Sequence, residues 1–114
     1  MIKDITGQQE VPFGNAVVKC NDTKIATELC EEIWVLRNPH VDYCLDGVEI
    51  ISNSSCSHHQ LGKVVRRRNK VINASDKHHC IYMYANLKAA DGGRCYFDGA
   101  SVICMNGQVY AEGS

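Results

Sequence analysis

Short apolar runs separated by polar turns predict a chain of alternating strands and helices. Runs rich in β-branched and aromatic side chains are typical of buried strands. The dipeptide Asn106-Gly107 is the clearest turn and predicts a hairpin near the end of the chain. The predicted strands comprise residues 16–20, 24–27, 48–52, 81–85, 100–104 and 108–111.

The helical pattern is strongest between residues 60 and 77, where aliphatic side chains recur at near-helical spacing. A shorter helix is predicted from near Glu31 to before Pro39, because the residue before a proline avoids the α region. Another helical turn is predicted over residues 40–46. The segments predicted to be irregular are residues 1–12, 53–59 and 91–93. Strands that alternate with helices predict an α/β fold with a mixed sheet and flanking helices.

Composition narrows the function classes. The length of 114 residues limits the chain to one domain, and the formal net charge of -1 argues against a nucleic-acid binder. No apolar run approaches the roughly 18 residues of a membrane-spanning helix. The first residues lack the apolar segment of a secretion signal. We therefore expect a cytoplasmic protein that binds neither nucleic acid nor membrane.

The chain is rich in cysteine. The seven cysteines are residues 20, 30, 44, 56, 80, 95 and 104. Their number is odd, their spacing is irregular, and no pair is separated by two residues as in many metal or redox motifs. Several lie in apolar surroundings, where cysteine behaves as a small hydrophobic residue. We expect reduced thiols, most of them buried.

Two groups of cysteine and histidine suggest zinc as an alternative, because thiolate and imidazole are zinc ligands. The groups are Cys56-x-His58-His59 and His78-His79-Cys80. They flank the predicted helix, and about 19 residues at about 1.5 Å each separate them by roughly 28 Å. One ion cannot contact both groups, so we predict no metal in this chain.

A basic run, Arg66-Arg67-Arg68-Asn69-Lys70, lies within the predicted helix. Such runs can be nuclear-localisation signals or nucleic-acid patches. This one has no interleaved aromatic residues, and the chain has no net positive charge. We therefore predict a solvated helix face.

Cys30 is the candidate for chemistry, because it lies between a predicted strand and the start of a predicted helix. A helix N-terminus favours the thiolate form of a cysteine and offers backbone N–H donors to an oxyanion. Glu31 and Glu32 follow directly, and their carboxylates would oppose a thiolate if they pointed at the sulfur. From these residues alone, a reactive thiol and a buried cysteine before an acidic helix start both remain open.

Six short motifs occur in order along the chain, between about Gln8 and Ser114. They are Pro12-Phe13-Gly14-Asn15-Ala16, Cys30-Glu31-Glu32-Ile33-Trp34, Asp46-Gly47-Val48-Glu49, Ser57-His58-His59, Tyr96-Phe97-Asp98-Gly99 and Met105-Asn106-Gly107. Together they resemble the amidase domain of eukaryotic glutamine-dependent NAD synthetases. That domain belongs to the nitrilase, or carbon-nitrogen hydrolase, superfamily, whose fold is an α-β-β-α sandwich.

The resemblance implies a glutamine amidase site. Cys30 would be the nucleophile that attacks the side-chain amide of L-glutamine, and the ammonia would serve ATP-dependent synthesis of NAD. Glu31 would supply a backbone N–H near the thioester oxygen. Ser57 and Lys63 match positions that hold the α-amino and α-carboxylate ends of the substrate, for which a hydroxyl and a cation are suited. ATP and magnesium would belong to a separate synthetase domain, so no cofactor is expected in this chain.

The resemblance also implies that residues 1–114 are the C-terminal part of the amidase domain. In the family a glutamate base and a lysine lie upstream of the cysteine, in sequence that this chain lacks, and the synthetase domain is absent too. The alternative is therefore a catalytically inactive piece that acts, if at all, as an interaction module. Half of a sandwich would leave an apolar sheet face uncovered, so self-association or association with a full-length synthetase subunit is expected.

Several positions depart from the family pattern, among them Ala89-Ala90, which precede Asp91 where Gly-Cys is typical. Cys56 stands where glycine is common, and Gly62 replaces a usual arginine. A glycine inside a helix is expected to cost about 1 kcal/mol relative to alanine. The segment His78-His79-Cys80 replaces a turn that contains glycine, which predicts strain if the turn needs a positive φ.

Overall fold

A mixed β-sheet with two helices packed on one of its faces forms the framework of the chain. The computed structural model describes residues 2–114, and Met1 lies outside the described residues. The strands are β1 (Val17–Lys19), β2 (Lys24–Leu29), β3 (Ile50–Ser55), β4 (Ile81–Asn86), β5 (Lys88–Asp91), β6 (Cys95–Asp98), β7 (Ser101–Met105) and β8 (Gln108–Gly113). The helices are α1 (Ile2–Thr6), a 3-10 helix (Cys30–Ile33), α2 (Pro39–Leu45) and α3 (Lys63–His78).

Three central strands run parallel, in the sheet order β1-β2-β3-β4-β7-β8. The connections between β2, β3 and β4 pass through α2 and α3, as parallel neighbours require. In register, Leu29 lies opposite Ser54, and Ser55 lies opposite Asn86. The outer strands β1, β7 and β8 are antiparallel to their neighbours. The predicted α/β class with a mixed sheet is confirmed, and the carboxyl ends of the parallel strands meet at one edge.

The core lies between the sheet and the helices α2 and α3. Its fully buried members include Ile51, Val71, Tyr82 and Cys104. The helix predicted between residues 60 and 77 is confirmed as α3, but Leu61, just before it, is 97% exposed. The buried side of α3 contains polar as well as apolar residues, namely Arg67, Val71, Ala74 and Ser75. The apolar spacing thus predicted the helix correctly and its buried face only in part.

Two segments predicted to be irregular are partly ordered, since residues 2–6 form α1 and residues 53–55 extend β3. The loop predicted at residues 91–93 largely coincides with the turn, residues 92–94, of the antiparallel β5–β6 hairpin, whose strands were not predicted. The polar end of β3 is a strand because it pairs with parallel neighbours on both sides. The hairpin lacks apolar alternation because β5 is exposed along its whole length. The extension of β3 thus depends on pairing partners distant in sequence, whereas β5 and β6 pair with each other locally.

The backbone effects predicted for the departures from the family pattern are confirmed in one case and wrong in another. Gly62 is not inside α3 but precedes it, with φ +74°, so the expected helix penalty is wrong. His79 ends α3 with φ +51°, a left-handed conformation that glycine adopts more readily. The strain expected for the altered turn is therefore placed at His79. The Asn106-Gly107 hairpin is confirmed, with Met105 paired to Gln108.

All seven cysteines are free thiols. Cys80 and Cys104 are buried, Cys56 is exposed, and the other four are half-buried, so fewer are fully buried than predicted. Burial raises the pKa of the Cys80 thiol to about 12. Within the described residues, no helix is long and apolar enough to cross a membrane.

Candidate active site

The predicted site residues Cys30, Glu31, Ser57 and Lys63 line a single pocket of about 340 Å³. The pocket opens at the edge where the carboxyl ends of β2 and β3 meet. Its other lining residues are Trp34, Cys56, His58, Gln60 and Arg66. The structure thus brings together all four residues, although their catalytic and binding roles remain predictions.

Cys30 occupies the corner where β2 passes into the 3-10 helix. Its φ is +40°, a left-handed conformation that costs a residue with a Cβ about 1–2 kcal/mol. The corner is held by two hydrogen bonds. The Leu29 N–H donates to Glu32 Oε2 at 2.6 Å, and the Trp34 N–H donates to the Glu31 carbonyl at 2.8 Å. The half-buried thiol is therefore presented from a sharply turned backbone.

The helix predicted to follow Cys30 is a single 3-10 turn that ends at Ile33. The Asn38 side-chain amide donates to the carbonyls of Glu32 at 2.7 Å and Val35 at 2.8 Å, which replaces further helical bonds. A turn this short aligns few peptide dipoles, so the predicted help of a helix N-terminus to the thiolate is not supported. The Glu32 carboxylate accepts from the Leu29 N–H and does not line the pocket. Among the described residues, Glu31 is the acidic residue in the pocket lining.

Ser57 is 5% exposed and lies in a loop clamped on both sides. Its N–H donates to Asn86 Oδ1 at 2.8 Å, and its carbonyl accepts from Asn86 Nδ2 at 3.1 Å. The same carbonyl accepts from Arg67 Nη1 at 3.3 Å. These bonds fix the Ser57 backbone from the end of β4 and from α3.

The burial of Arg67 shows that the prediction of a solvated basic face is wrong for this residue. Its side chain is 2% exposed and forms an ion pair with Asp98, the last residue of β6. Asp98 also accepts from Asn86 Nδ2 at 3.3 Å and bonds His59 Nδ1 at 3.0 Å. Burial raises the pKa of Asp98, but the bonds to His59 and Arg67 and the Arg67 charge outweigh it, so the pKa lies below 3.8. No sequence pattern distinguished Arg67 from its neighbours, because the charged residues of such runs are usually exposed.

Two residues of the basic run, Arg66 and Lys70, lie over Trp34 together with Lys63. The charged ends of Lys63, Arg66 and Lys70 lie 5.7, 5.8 and 5.1 Å from the centre of the indole ring. This distance allows attraction between each cation and the ring. Trp34 thereby holds two cations, Lys63 and Arg66, beside the pocket of Cys30.

A buried polar network is centred on Glu28, two residues before Cys30. Glu28 is fully buried, and its Oε1 accepts from the His40 N–H at 2.6 Å and bonds His40 Nδ1 at 2.8 Å. Its Oε2 accepts from the Tyr82 hydroxyl. Asn53 Nδ2 donates to that hydroxyl at 3.2 Å, and Ser55 Oγ donates to Asn53 Oδ1 at 2.7 Å. The network joins α2 to all three parallel strands.

Glu28 stays charged inside the core. Burial raises the pKa of its carboxyl, but hydrogen bonds from His40 and Tyr82 and the charge of His40 outweigh this effect. The pKa therefore lies below its ordinary value of 4.5. No sequence motif marked Glu28, because its partners come from α2 and β4.

The two groups considered for zinc lie near opposite ends of α3, and His78 of the second group is its last residue. Across residues 2–114, no three histidine, cysteine or acidic side chains are arranged to hold a metal ion.

Comparison with solved structures identifies the class of fold. An amidase of the nitrilase superfamily from Nesterenkonia superposes with a TM-score of 0.74 at 16% identity, over 90% of this chain and 38% of that chain. A glutamine-dependent NAD+ synthetase from Acinetobacter baumannii superposes with a TM-score of 0.80 at 20% identity, over 91% of this chain and 20% of that chain. The fold is therefore that of the nitrilase superfamily.

The sequence narrows this class. Over all 114 of its residues, the chain is 51% identical to a glutamine-dependent NAD(+) synthetase from Macaca fascicularis. No family model matches the chain. The chain is thus similar over its whole length to a segment of the glutamine-dependent NAD(+) synthetases, and the resemblance indicated by the six motifs is confirmed. It spans 16% of the length of that relative.

Proposed function

We propose that the pocket binds L-glutamine and that Cys30 attacks its side-chain amide. The sulfur bonds to the amide carbon, the C–N bond breaks, and ammonia leaves. Water then cleaves the thioester, which releases glutamate and regenerates the thiol. The convergence of Cys30, Glu31, Ser57 and Lys63 on one pocket is the observation that carries this proposal.

The pocket has groups suited to a zwitterionic substrate. Lys63 offers a cation to the α-carboxylate, and Ser57 offers a hydroxyl that its clamped backbone positions. The Glu31 N–H would donate to the oxygen of the thioester and of the tetrahedral state that precedes it. In the full-length protein, we propose that the ammonia supports ATP-dependent NAD(+) synthesis. The glutamate base and the second lysine would come from other parts of that protein or from a partner.

An electrophilic analogue of glutamine tests the assignment. A diazoketone analogue should form one covalent adduct at Cys30, detected by intact mass and peptide mapping, and Cys30→Ala should abolish it. Cys56→Ala is the matched control, because it removes a thiol from the same pocket and should retain the adduct. Lys63→Met should slow labelling by about 10-fold, as expected for one lost hydrogen bond to a charged group.

Iodoacetamide, which lacks the α-amino and α-carboxylate groups, separates recognition from thiol access. Lys63→Met should slow the reaction of iodoacetamide at Cys30 less than it slows labelling by the glutamine analogue, because only the analogue has an α-carboxylate for Lys63 to bind. An adduct at another cysteine, or no adduct in a folded chain, would reject the proposal for this polypeptide.

The alternative function, an interaction module, is favoured by a different observation. On the sheet face opposite α2 and α3, Val18 is 61% exposed and Ile103 is 40% exposed. Apolar side chains on an uncovered face favour association with another protein surface. We propose that the isolated chain associates through this face, with itself or with a full-length synthetase subunit.

Sedimentation at increasing concentration tests this association. We expect self-association that Ile103→Lys weakens at least 10-fold, because a lysine there would be buried without a partner. Leu36→Lys is the control, since Leu36 is 105% exposed in the turn before α2. A monomer at every concentration, or equal effects of both variants, would count against self-association. A pull-down with a full-length synthetase subunit addresses the second partner.

A further inference from the structure

A second thiol lies in the pocket of the candidate nucleophile. Cys56 directly follows β3, is exposed, and lines the pocket together with Cys30. Two cysteines in one open pocket can react with each other as well as with a ligand.

Strand register places the two cysteines close together. Leu29 lies opposite Ser54 on the parallel neighbour, so Cys30 and Cys56 follow that pair by one and two residues. With strands about 4.8 Å apart and a rise of about 3.3 Å per residue, their Cα atoms are roughly 6 Å apart. Disulfides usually span about 4.4–6.8 Å between Cα atoms. Cys30 leaves the extended backbone at φ +40°, so the alternation of side chains between the two sheet faces ends there, and both cysteines line one pocket.

The other cysteines are less suited to oxidation. Burial raises the pKa values of Cys44, Cys80 and Cys104, which keeps these thiols protonated and unreactive. Cys20 and Cys95 do not line the pocket. By contrast, Cys30 and Cys56 line one partly open pocket, in which peroxide and the two thiols can meet.

We propose that Cys30 and Cys56 form a dithiol site that a hydroperoxide oxidises to an intramolecular disulfide. One thiolate attacks the distal peroxide oxygen, the O–O bond breaks, and a sulfenic acid and an alcohol (water, for hydrogen peroxide) result. The second thiol attacks the sulfenic sulfur, the S–S bond forms, and water leaves. The dithiol loses two electrons, and the peroxide gains them. A thiol reductant reverses the reaction by exchange.

The disulfide would occupy the sulfur that the glutamine reaction needs. Only this consequence rests on the proposed function, since the oxidation itself requires the two thiols and a peroxide. The pocket would then be inactive when oxidised and active again after reduction.

Peptide mapping without reductant tests the dithiol. The reduced, folded chain is treated with hydrogen peroxide at low protein concentration and digested. We expect a Cys30–Cys56 cross-linked peptide in more than 10-fold excess over any other pair, and its loss after dithiothreitol. Cys56→Ser should abolish the cross-link and let peroxide carry Cys30 to the sulfinic acid. Cys95→Ser, the control in β6, should leave the cross-link unchanged.

Several outcomes would overturn the proposal. They are disulfides that join either cysteine to a different partner, cross-links only between molecules, and oxidation of Cys30 to the sulfinic acid at the same rate with and without Cys56. The glutamine analogue keeps the two proposals apart. A disulfide in a protein that the analogue never labels rejects the glutamine chemistry alone, whereas labelling without any disulfide rejects the dithiol alone.

Discussion

Replacing Arg67 with methionine should lower the free energy of unfolding by about 3 kcal/mol, because it leaves one member of a largely buried ion pair without its partner. Arg67 is 2% exposed and Asp98 is 17% exposed, so water can compensate the remaining carboxylate only in part. Methionine keeps much of the apolar stem and removes the guanidinium. The Ser57 carbonyl also loses a donor, so the substrate loop should loosen. Urea unfolding measures the first effect, and hydrogen exchange at the Ser57 amide measures the second.

Arg68→Met is the matched control on the next residue of α3. Arg68 pairs with Glu112, and their side chains are 43% and 49% exposed. Surface ion pairs contribute less than about 1 kcal/mol, so this variant should unfold almost as the parent does. Equal losses from the two substitutions would contradict the structural role assigned to Arg67.

Replacing Glu28 with glutamine should lower the free energy of unfolding by about 3 kcal/mol at neutral pH. The change removes the charge from a fully buried acceptor of bonds from His40 and Tyr82. Hydrogen bonds to charged groups contribute about 1.5–3 kcal/mol each, and glutamine retains part of the bonding. Since Glu28 lies two residues before Cys30, the change should also disturb the corner that presents the thiol.

The same variant should be less sensitive to acid. In the folded chain the pKa of Glu28 lies below 4.5, so the unfolded chain binds more protons near that pH. The stabilisation is complete above about pH 5 and is lost as the pH falls through the lower folded pKa. Between about pH 6 and pH 3, Glu28→Gln should therefore lose less stability than the parent. Asp98, whose pKa also lies below its ordinary value, should maintain some acid sensitivity in both proteins.

Urea unfolding across this pH range provides the comparison. Glu112→Gln serves as control, because it removes an exposed carboxylate from a surface pair. Its stability should follow the pH dependence of the parent. Identical slopes for Glu28→Gln and the parent would show that the Glu28 charge is not stabilised by folding.

Local sequence signals were sufficient where a structural element has its own period or turn chemistry. β4 and β7 are apolar runs, α3 has helical spacing, and Asn106-Gly107 favours the backbone of a tight hairpin. These signals act within a few residues, so they are readable without knowledge of the fold. The motif around Cys30 belongs to the same category, because its strand, sharp turn and thiol are contiguous.

The family resemblance extended this local information to the pocket. It named Glu31, Ser57 and Lys63, and the structure brings these residues together with Cys30. It did not indicate how the site is held. The helix expected after Cys30 is a single turn because Asn38 takes its carbonyl partners, a competition that propensity alone does not reveal.

The sequence by itself determined the α/β class, the mixed sheet, the order of most elements and the cysteine at the end of β2. Only the tertiary structure decided which polar side chains are buried together. Arg67 lies in a charge run and is buried because Asp98, 31 residues later, returns on a hairpin. Glu28 bonds His40 and Tyr82 because α2 packs on β2 and β4 lies in the same sheet. Cys56 lies in the pocket of Cys30 because β2 and β3 are parallel neighbours. A linear pattern records residue types and their periods, whereas burial of a charge depends on a partner that only the folded chain supplies.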